Sequence, residues 1–360
     1  DPDPSATRPN IIFVLGDDLG RDWLGCYGAA QKTPNLDRLA AQGVRFENAW
    51  CQPLCTPTRV ALLSGRYPYH TGWTVHHDVP RWGGIGFDPA RFTSVARVLR
   101  DSGYATAIAG KWQINDLRKD PEILRKHGFD EHCVWTGVED GNPPTVKRYH
   151  DAYLQTNGDR RTHEGEFGPD ILQTFAKNFV RNHRKGPFFL YYPLVSPHGP
   201  LEPTPGHSRA SNDLQGLHSD LVADLDAKVG ELSALLDELK IAENTILIFA
   251  GDNGSAVPGS LDGLRVPAGK GRTTDLGVHV PLIVRAPKLA KGGTVTTSLV
   301  DFTDLYPTFV ELAGARVPVG VPLDGHSFVP LLKGETANGR DWNYAQYKDK
   351  RIVRDRRYKL

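Results

Sequence analysis

The chain has 360 residues, long for one compact domain and short for three. Lys and Arg number 43 against 42 Asp and Glu, so no basic excess argues for nucleic acid and no charge block reads as an interaction tail. Hydrophobic residues make up 39%, mean hydropathy is -0.40, and no apolar run approaches a membrane span, which describes an ordinary soluble globular protein.

The chain contains no Met and opens on the polar stretch DPDPSATRPN. It reads as a mature product cut after a signal peptide, hence exported to a periplasm or the outside. "IIFVLGDDLG" (11–20) is a buried strand delivering Asp17 and Asp18 at its C-terminal end. "TPNLDRLAAQG" (33–43), with Thr33 as cap, Pro34 in the first turn and Gly43 as stop, is a short helix, and "VRFENAW" then alternates like a strand. An apolar, helix-like stretch follows "LCTPTR" (54–59). "TSVARVLRDSG" (93–103) is a capped helix and "YATAIAGK" (104–111) a second buried strand. Residues 142–169 read as a long excursion near a site rather than core. "GPDILQTFAKNFVRNHRKG" is a helix, "PFFLYYPL" (187–194) a third strand, and 213–240 carries a long apolar stripe at helical spacing. "TILIFAGDNG" (245–254) is a fourth strand, ending in Asp252 and Asn253, and "VPLIVRAP" (280–287) a fifth.

Strands alternating with helices predict an α/β fold: a three-layer α/β/α sandwich with a large, mostly parallel central sheet. Such sheets collect their chemistry at the carboxyl ends of the strands. The division expected is a catalytic domain over 8–330 and, over 331–360, the start of a small C-terminal α+β subdomain whose remainder is missing, because "RIVRDRRYKL" reads as a strand with no turn after it.

Asp17, Asp18, Asp252 and Asn253 are hard oxygen donors at two strand ends. Turn and capping chemistry explains either pair alone. Both pairs in one chain favour a cation, Ca²⁺ or, as second choice, Mg²⁺, over zinc. "NGS" at 253–255 fits a glycosylation sequon, but a glycan there would abolish metal binding. Arg59, Lys111, His198 and Lys270 also fall at or just beyond strand ends or beside Cys55, and together suit an oxyanion ester. Four cysteines make no disulfide scaffold, and an isolated Cys55 is ordinarily a small buried hydrophobe.

The stretch "CTPTRVALLSGRYP" resembles the C-x-P-x-R signature of the type I sulfatases, within the alkaline-phosphatase-like superfamily. "PNIIFVLGDDLG", "TPNLDRLAAQGVRFENAW", "GYATAIAGKW", "SPHGP", "GDNG" and "GKGRTTDLGVHVP" resemble further blocks of that family, in its order, from about residue 8 to 360. The resemblance implies that Cys55 is oxidised to formylglycine by a formylglycine-generating enzyme. Its hydrate is a geminal diol; one oxygen attacks sulfur, and the other collapses to the aldehyde and expels sulfate. By position, Asp17, Asp18, Asp252, Asn253 and residue 55 would hold Ca²⁺. Arg59 would orient the diol, Lys111 and Lys270 would neutralise sulfate oxygens, and His198 would protonate the leaving group.

The chain departs from the family at Gln113, where the block usually reads G-K-W-H. Glutamine cannot take a proton at neutral pH, which leaves His70, His76 and His77 of the nearby loop as candidate bases. In that loop, 69–88, Trp73 and Trp82 suit stacking on a sugar and Asp78 suits its hydroxyls, while simple packing of the loop explains them equally. The substrate-binding candidates are His70, Trp73, His77, Asp78, Gln113 and Arg272, with Tyr149 and His163 bordering the pocket. The function expected is hydrolysis of a sulfate ester on a sulfated carbohydrate. A phosphodiester or phosphonate monoester hydrolase on the same fold, and a catalytically impaired binder of sulfated glycans, are the alternatives.

Overall fold

The computed structural model describes residues 8–336 and 339–360. Strands β1 (Asn10–Gly16), β2 (Val44–Trp50), β3 (Ala105–Lys111), β4 (Glu131–Trp135), β5 (Tyr153–Thr156), β6 (Asp159–Thr162), β7 (Phe188–Pro193) and β8 (Thr245–Gly251) are followed by a small hairpin, β9 (Gly259–Leu261) and β10 (Leu264–Val266). Then come β11 (His279–Val280), β12 (Leu282–Arg285), β13 (Thr294–Asp301), β14 (Asn343–Tyr347) and β15 (Lys350–Arg354). The main helices are α1 (Pro34–Gln42), α2 (Cys55–Ser64), α3 (Val95–Asp101), α4 (Gly168–His183), α5 (Leu214–Glu238) and α6 (Leu305–Leu312). Among the described residues, no helix is long and apolar enough to cross a membrane.

One sheet of 11 strands runs in the order β11-β2-β12-β8-β1-β7-β3-β4-β5-β6, with β13 also paired to β2. Its centre, β8-β1-β7-β3-β4, is parallel. The flanks are mixed: β12 runs antiparallel to β8 and β2, and β5 and β6 turn back on β4. Residues 142–169 therefore do more than wander over the surface: they add a hairpin to the sheet edge and place Tyr149, Ala152 and Leu154 in the core.

The alternation of β1 explains the layers. Ile11, Phe13 and Leu15 face one apolar cluster with α2, α3 and α6; Ile12 and Val14 face the other with α1, α4 and α5. Every residue of β1 is buried, so both faces are covered and the three-layer sandwich expected from the sequence forms. β14 and β15 pair apart from the main sheet and attach through Ala345 and Ile352 packed on Trp50 and Val278. Gly110 has φ +128, and a Cβ there would lie 1.8 Å from the Pro193 carbonyl oxygen. Only glycine lets β3 approach the β7 end so closely.

His127 lies in the first of these layers, stacked on Phe87 at 4.5 Å between centroids, with Nε2 2.8 Å from the Phe87 carbonyl oxygen. Burial, aided by Arg97 and opposed by that carbonyl, Asp88 and Asp120, pushes its pKa from 6.5 down to about 4. The unfolded imidazole thus takes its proton first as pH falls. His127 is expected to remove up to about 3 kcal/mol of stability as pH drops from 6.5 to 4, and nothing further below. His127→Phe should cost about 1 kcal/mol at pH 7 and shrink the loss on acidification. Urea unfolding of both proteins on either side of that window checks it; an unchanged pH slope in the variant would refute the assignment.

Candidate active site

The pairing of β1 with β8 sets Gly16 opposite Gly251, so the acids that follow emerge side by side. Backbone bonds pin the turns: Asp17 N donates to Ser196 O at 3.0 Å and Asp252 N to Gly16 O at 3.0 Å. Asp18 N donates to Asp252 Oδ1 at 3.0 Å, and Asn253 Nδ2 to Asp18 Oδ1 at 2.8 Å. Asp18 takes φ +64, as does Gln113, so two residues of this edge hold left-handed backbones that cost side chains energy. Asp17, Asp18, Asp252 and Asn253 are all buried, and burial of Asn253 leaves no room for a glycan.

Helix α2 presents Cys55 at its first position and Arg59 one turn on, both 1% exposed. Thr58 Oγ1 bonds the Gln52 and Leu54 carbonyls and accepts from Gln52 N, folding the entry loop onto the helix. Pro57 falls in the first turn, where a missing N–H costs nothing. Gly65, at φ +67, ends the helix in a left-handed cap. Arg59 Nη2 lies 2.7 Å from Asp252 Oδ2 and 3.6 Å from Asp17 Oδ1, and Nη1 donates to Lys111 O at 3.2 Å. Lys111 Nζ is 2.7 Å from Asp17 Oδ2, and Lys270 Nζ is 2.6 Å from Asp18 Oδ2 and 2.9 Å from His198 Nε2.

Three buried carboxylates thus meet three cations. Burial drives Asp17 upward, but Lys111, His198, Arg59 and Lys270 overcome it and hold the acid well below the usual range. Burial and the neighbouring Asp17 push Asp252 well up. Burial takes His198 down to about 3 against the pull of Asp18. The ligand atoms of Asp17, Asp18 and His198 lie within 4.8 Å of one another, as do those of Asp17, Cys55 and Asp252. Asp17 Oδ1 and Asn253 Oδ1 are buried with no hydrogen-bond donor. Two orphaned hard oxygens beside crowded acids are what a divalent cation would satisfy.

The histidines of the 69–88 loop point three ways. His70 Nδ1 pairs with Asp324 at 2.7 Å and is well exposed. His77 Nε2 lies 2.8 Å from Gly83 O. His76 Nδ1 lies 3.6 Å from Cys55 Sγ and 3.3 Å from Thr56 Oγ1, and burial brings it down to about 4. Trp73 is buried in the core beside Val79 and Phe87. Trp82 is 55% exposed, with its ring edge-on to His76 at 5.3 Å. Asp78 and Gln113 are both buried, and the Gln113 amide partly offsets the upward push of burial on Asp78. Tyr149 donates to the His198 carbonyl at 2.8 Å and so holds that loop from below. His163 faces Glu166 in a separate cavity, and Arg272 lies exposed beside the C-terminal hairpin.

Arg148 was not singled out from the sequence. Its guanidinium stacks on Trp135 at 3.9 Å and reaches His198 Nδ1 at 3.1 Å. Nothing local marks it, since it lies in a polar loop of ordinary composition.

Residues 9–315 match the family described as Sulfatase, and residues 272–360 match the one described as N-sulphoglucosamine sulphohydrolase, C-terminal. The chain is 32% identical over 352 residues to N-acetylgalactosamine-6-sulfatase of Homo sapiens, covering 90% of this chain and 66% of that protein. It is 30% identical over 416 residues to steryl-sulfatase of Mus musculus, covering 92% and 66%. The chain therefore spans 66% of the length of these curated relatives. Among solved structures, Ps i-CgsB matches with a TM-score of 0.86 at 30% identity, over 98% of this chain and 83% of that one. The same protein in complex with k-i-k-neocarrahexaose matches with a TM-score of 0.85.

Removing Arg59 would leave Asp17 and Asp252 buried with too little countercharge. Arg59→Ala is expected to lose about 3–5 kcal/mol in urea unfolding, and a loss below 1 kcal/mol would show that the acids do not depend on it.

Proposed function

The chain belongs to the sulfatase family, and on that premise we propose that it hydrolyses a sulfate ester of a sulfated carbohydrate. The observation that carries this reading is the convergence on one buried edge of Cys55, four oxygen-donor residues, Arg59, two lysines and a histidine. The names of N-acetylgalactosamine-6-sulfatase and of the neocarrahexaose complex support the carbohydrate.

Asp17, Asp18, Asp252 and Asn253, with residue 55, are the groups that would hold a divalent cation. Their all-oxygen character favours Ca²⁺, with Mg²⁺ second. Such an ion supplies Lewis-acid stabilisation of charge at a sulfate oxygen. Cys55, matured to formylglycine by its generating enzyme, would supply an oxygen nucleophile in place of a thiol. The reading includes export of the chain to a periplasm or the outside.

The chain's own groups then divide the work. Each lysine ammonium has three N–H donors. Lys111 spends one on Asp17 and Lys270 one on Asp18 and one on His198, so both keep donors for sulfate oxygens. Lys270 Nζ donates into His198 Nε2 and so orients the imidazole, and these two groups are the ones that would serve the leaving oxygen. Arg59 fixes the first turn of α2, and hence residue 55, against Asp252 and the Lys111 carbonyl. His76 Nδ1, near Cys55 Sγ, is placed to take a proton from the side chain at 55, the task Gln113 cannot perform. Trp82, exposed beside His76, suits a sugar face.

The experiment is mass spectrometry of the Cys55 peptide, paired with assays on 4-nitrophenyl sulfate and on a phosphodiester. Formylglycine with preferred sulfate release, abolished in a folded Cys55→Ala variant, is the expected result. Turnover surviving Cys55→Ala, or a preference for the phosphodiester, would overturn the reading. Separately, His76→Gln should lower kcat by about 10²-fold or more with little change in KM. Gln113→His introduced into that variant should restore part of the loss. An undiminished kcat in His76→Gln would remove His76 from the reaction.

A further inference from the structure

The balanced charge of the chain conceals a segregation. Residues 348–360 hold seven Lys or Arg against two Asp, a local charge of +5, which leaves -4 on the other 347 residues. A formal net charge of +1 therefore averages a basic end with an acidic body. This end forms the β14–β15 turn, strand β15 and the residues after it.

The fold carries that basic segment to the candidate active site. A cleft of about 450 Å³ opens between the hairpin turn and the loop after Lys270, lined among others by Arg272, Thr274, Tyr347, Lys348, Asp349 and Lys350. One wall is tied to a residue near Cys55 and the other to a residue near His76. Gly271 N donates to Pro53 O at 2.9 Å, and Lys348 N donates to Thr74 O at 2.8 Å. The end of the segment is held too, since Lys359 Nζ pairs with Asp275 Oδ2 at 2.5 Å. Arg272, Lys348 and Lys350 are exposed, and among the described residues none of the three pairs with a carboxylate, Asp349 included. Arg272 lies two residues from Lys270, Lys348 is hydrogen-bonded two residues from His76, and Lys350 follows Lys348 by two, so three cations that pair with no carboxylate extend the anion-binding surface outward from the site.

We propose that this cleft is a second anion subsite, in which Arg272, Lys348 and Lys350 take a further sulfate group of the same glycan, so that the preferred substrate is polysulfated. The inference rests on the proposed sulfatase function and names its substrate more narrowly. Arg272 offers a planar fork for two sulfate oxygens, and the lysines act as mobile point charges. Their exposure makes the contribution modest for each charge and sensitive to salt.

The test is calorimetric binding of dextran sulfate, neutral dextran and duplex DNA to the full chain as wild type and as Lys348→Gln/Lys350→Gln. Both side chains are exposed, so thermal unfolding should be unchanged. The expected result is selective binding of dextran sulfate, weakened about tenfold in the variant at about 50 mM salt, with the difference shrinking as salt rises. With a polysulfated oligosaccharide as substrate, KM should rise while kcat holds. Unchanged affinity in the variant, or duplex DNA bound as tightly as dextran sulfate, would overturn the subsite. Binding needs no turnover, so the two readings fail separately. Wild-type protein inert toward both 4-nitrophenyl sulfate and the polysulfated oligosaccharide, with the binding difference intact, would sink the hydrolase and support the anionic-glycan site.

Discussion

The rest of the site depends on one piece of backbone geometry, the parallel pairing of β1 with β8 in the register that sets Gly16 opposite Gly251. That register forces Asp17, Asp18, Asp252 and Asn253 together at a dry edge. Like charges in such surroundings are costly, and Coulomb repulsion there is only weakly screened. The fold meets the cost with cations from three separate elements: Arg59 from α2, Lys111 from the end of β3, and Lys270 from the loop before β11. Each has its carboxylate at 2.6–2.7 Å. The sheet edge thus sets three carboxylates against three cations, and a divalent ion held there, as proposed, would leave an excess of positive charge for an anionic ester.

The loop at 69–88 shows how little chain neighbourhood says about direction. His70, His76 and His77 lie within eight residues, yet one pairs with Asp324, one approaches Cys55 and one meets Gly83 O. His70 lies in the short helical turn Pro68–Thr71, while His76 and His77 fall in the stretch between it and the turn Val79–Trp82. The two tryptophans divide in the same way. Trp73 fills the core, while Trp82 stays at the surface beside His76. Residue type alone made both suitable for a sugar; burial leaves Trp73 8% exposed and Trp82 55%.

Much of the fold was legible because both faces of the sheet are covered. Strands such as "IIFVLG" and "TILIFAG" are continuous apolar runs, and α5 carries its stripe at helical spacing over Leu214–Glu238. The flanks were harder to read. β5 and β6 are four residues each, and β6 reads Asp-Arg-Arg-Thr, a charged edge strand whose pairing comes from the chain turning back on β4. The direction of β12 against β8 depends on the route of the connection, which leaves no mark in its composition. Arg148 escaped notice for a related reason, since its importance comes from the aromatic ring of Trp135 beneath it and His198 beside it. The basic segment at 348–360 was countable from the start, but a near-zero total hid it.

The sequence by itself determined the kinds of chemistry available: the acids after apolar strands, the C-T-P-T-R block, the lysine and histidine loops, and a glutamine where the resembling family usually has histidine. Local pattern reports such things because burial and backbone preference act over a few residues. The tertiary structure alone decided which of these groups meet. Asn253 bonds Asp18 across 235 residues of chain, and Lys348 bonds Thr74 across the domain. Contacts of that reach are set by strand register and by the route of each crossover, and a one-residue slip of register would turn the side chains to the other face and leave buried charges unmatched.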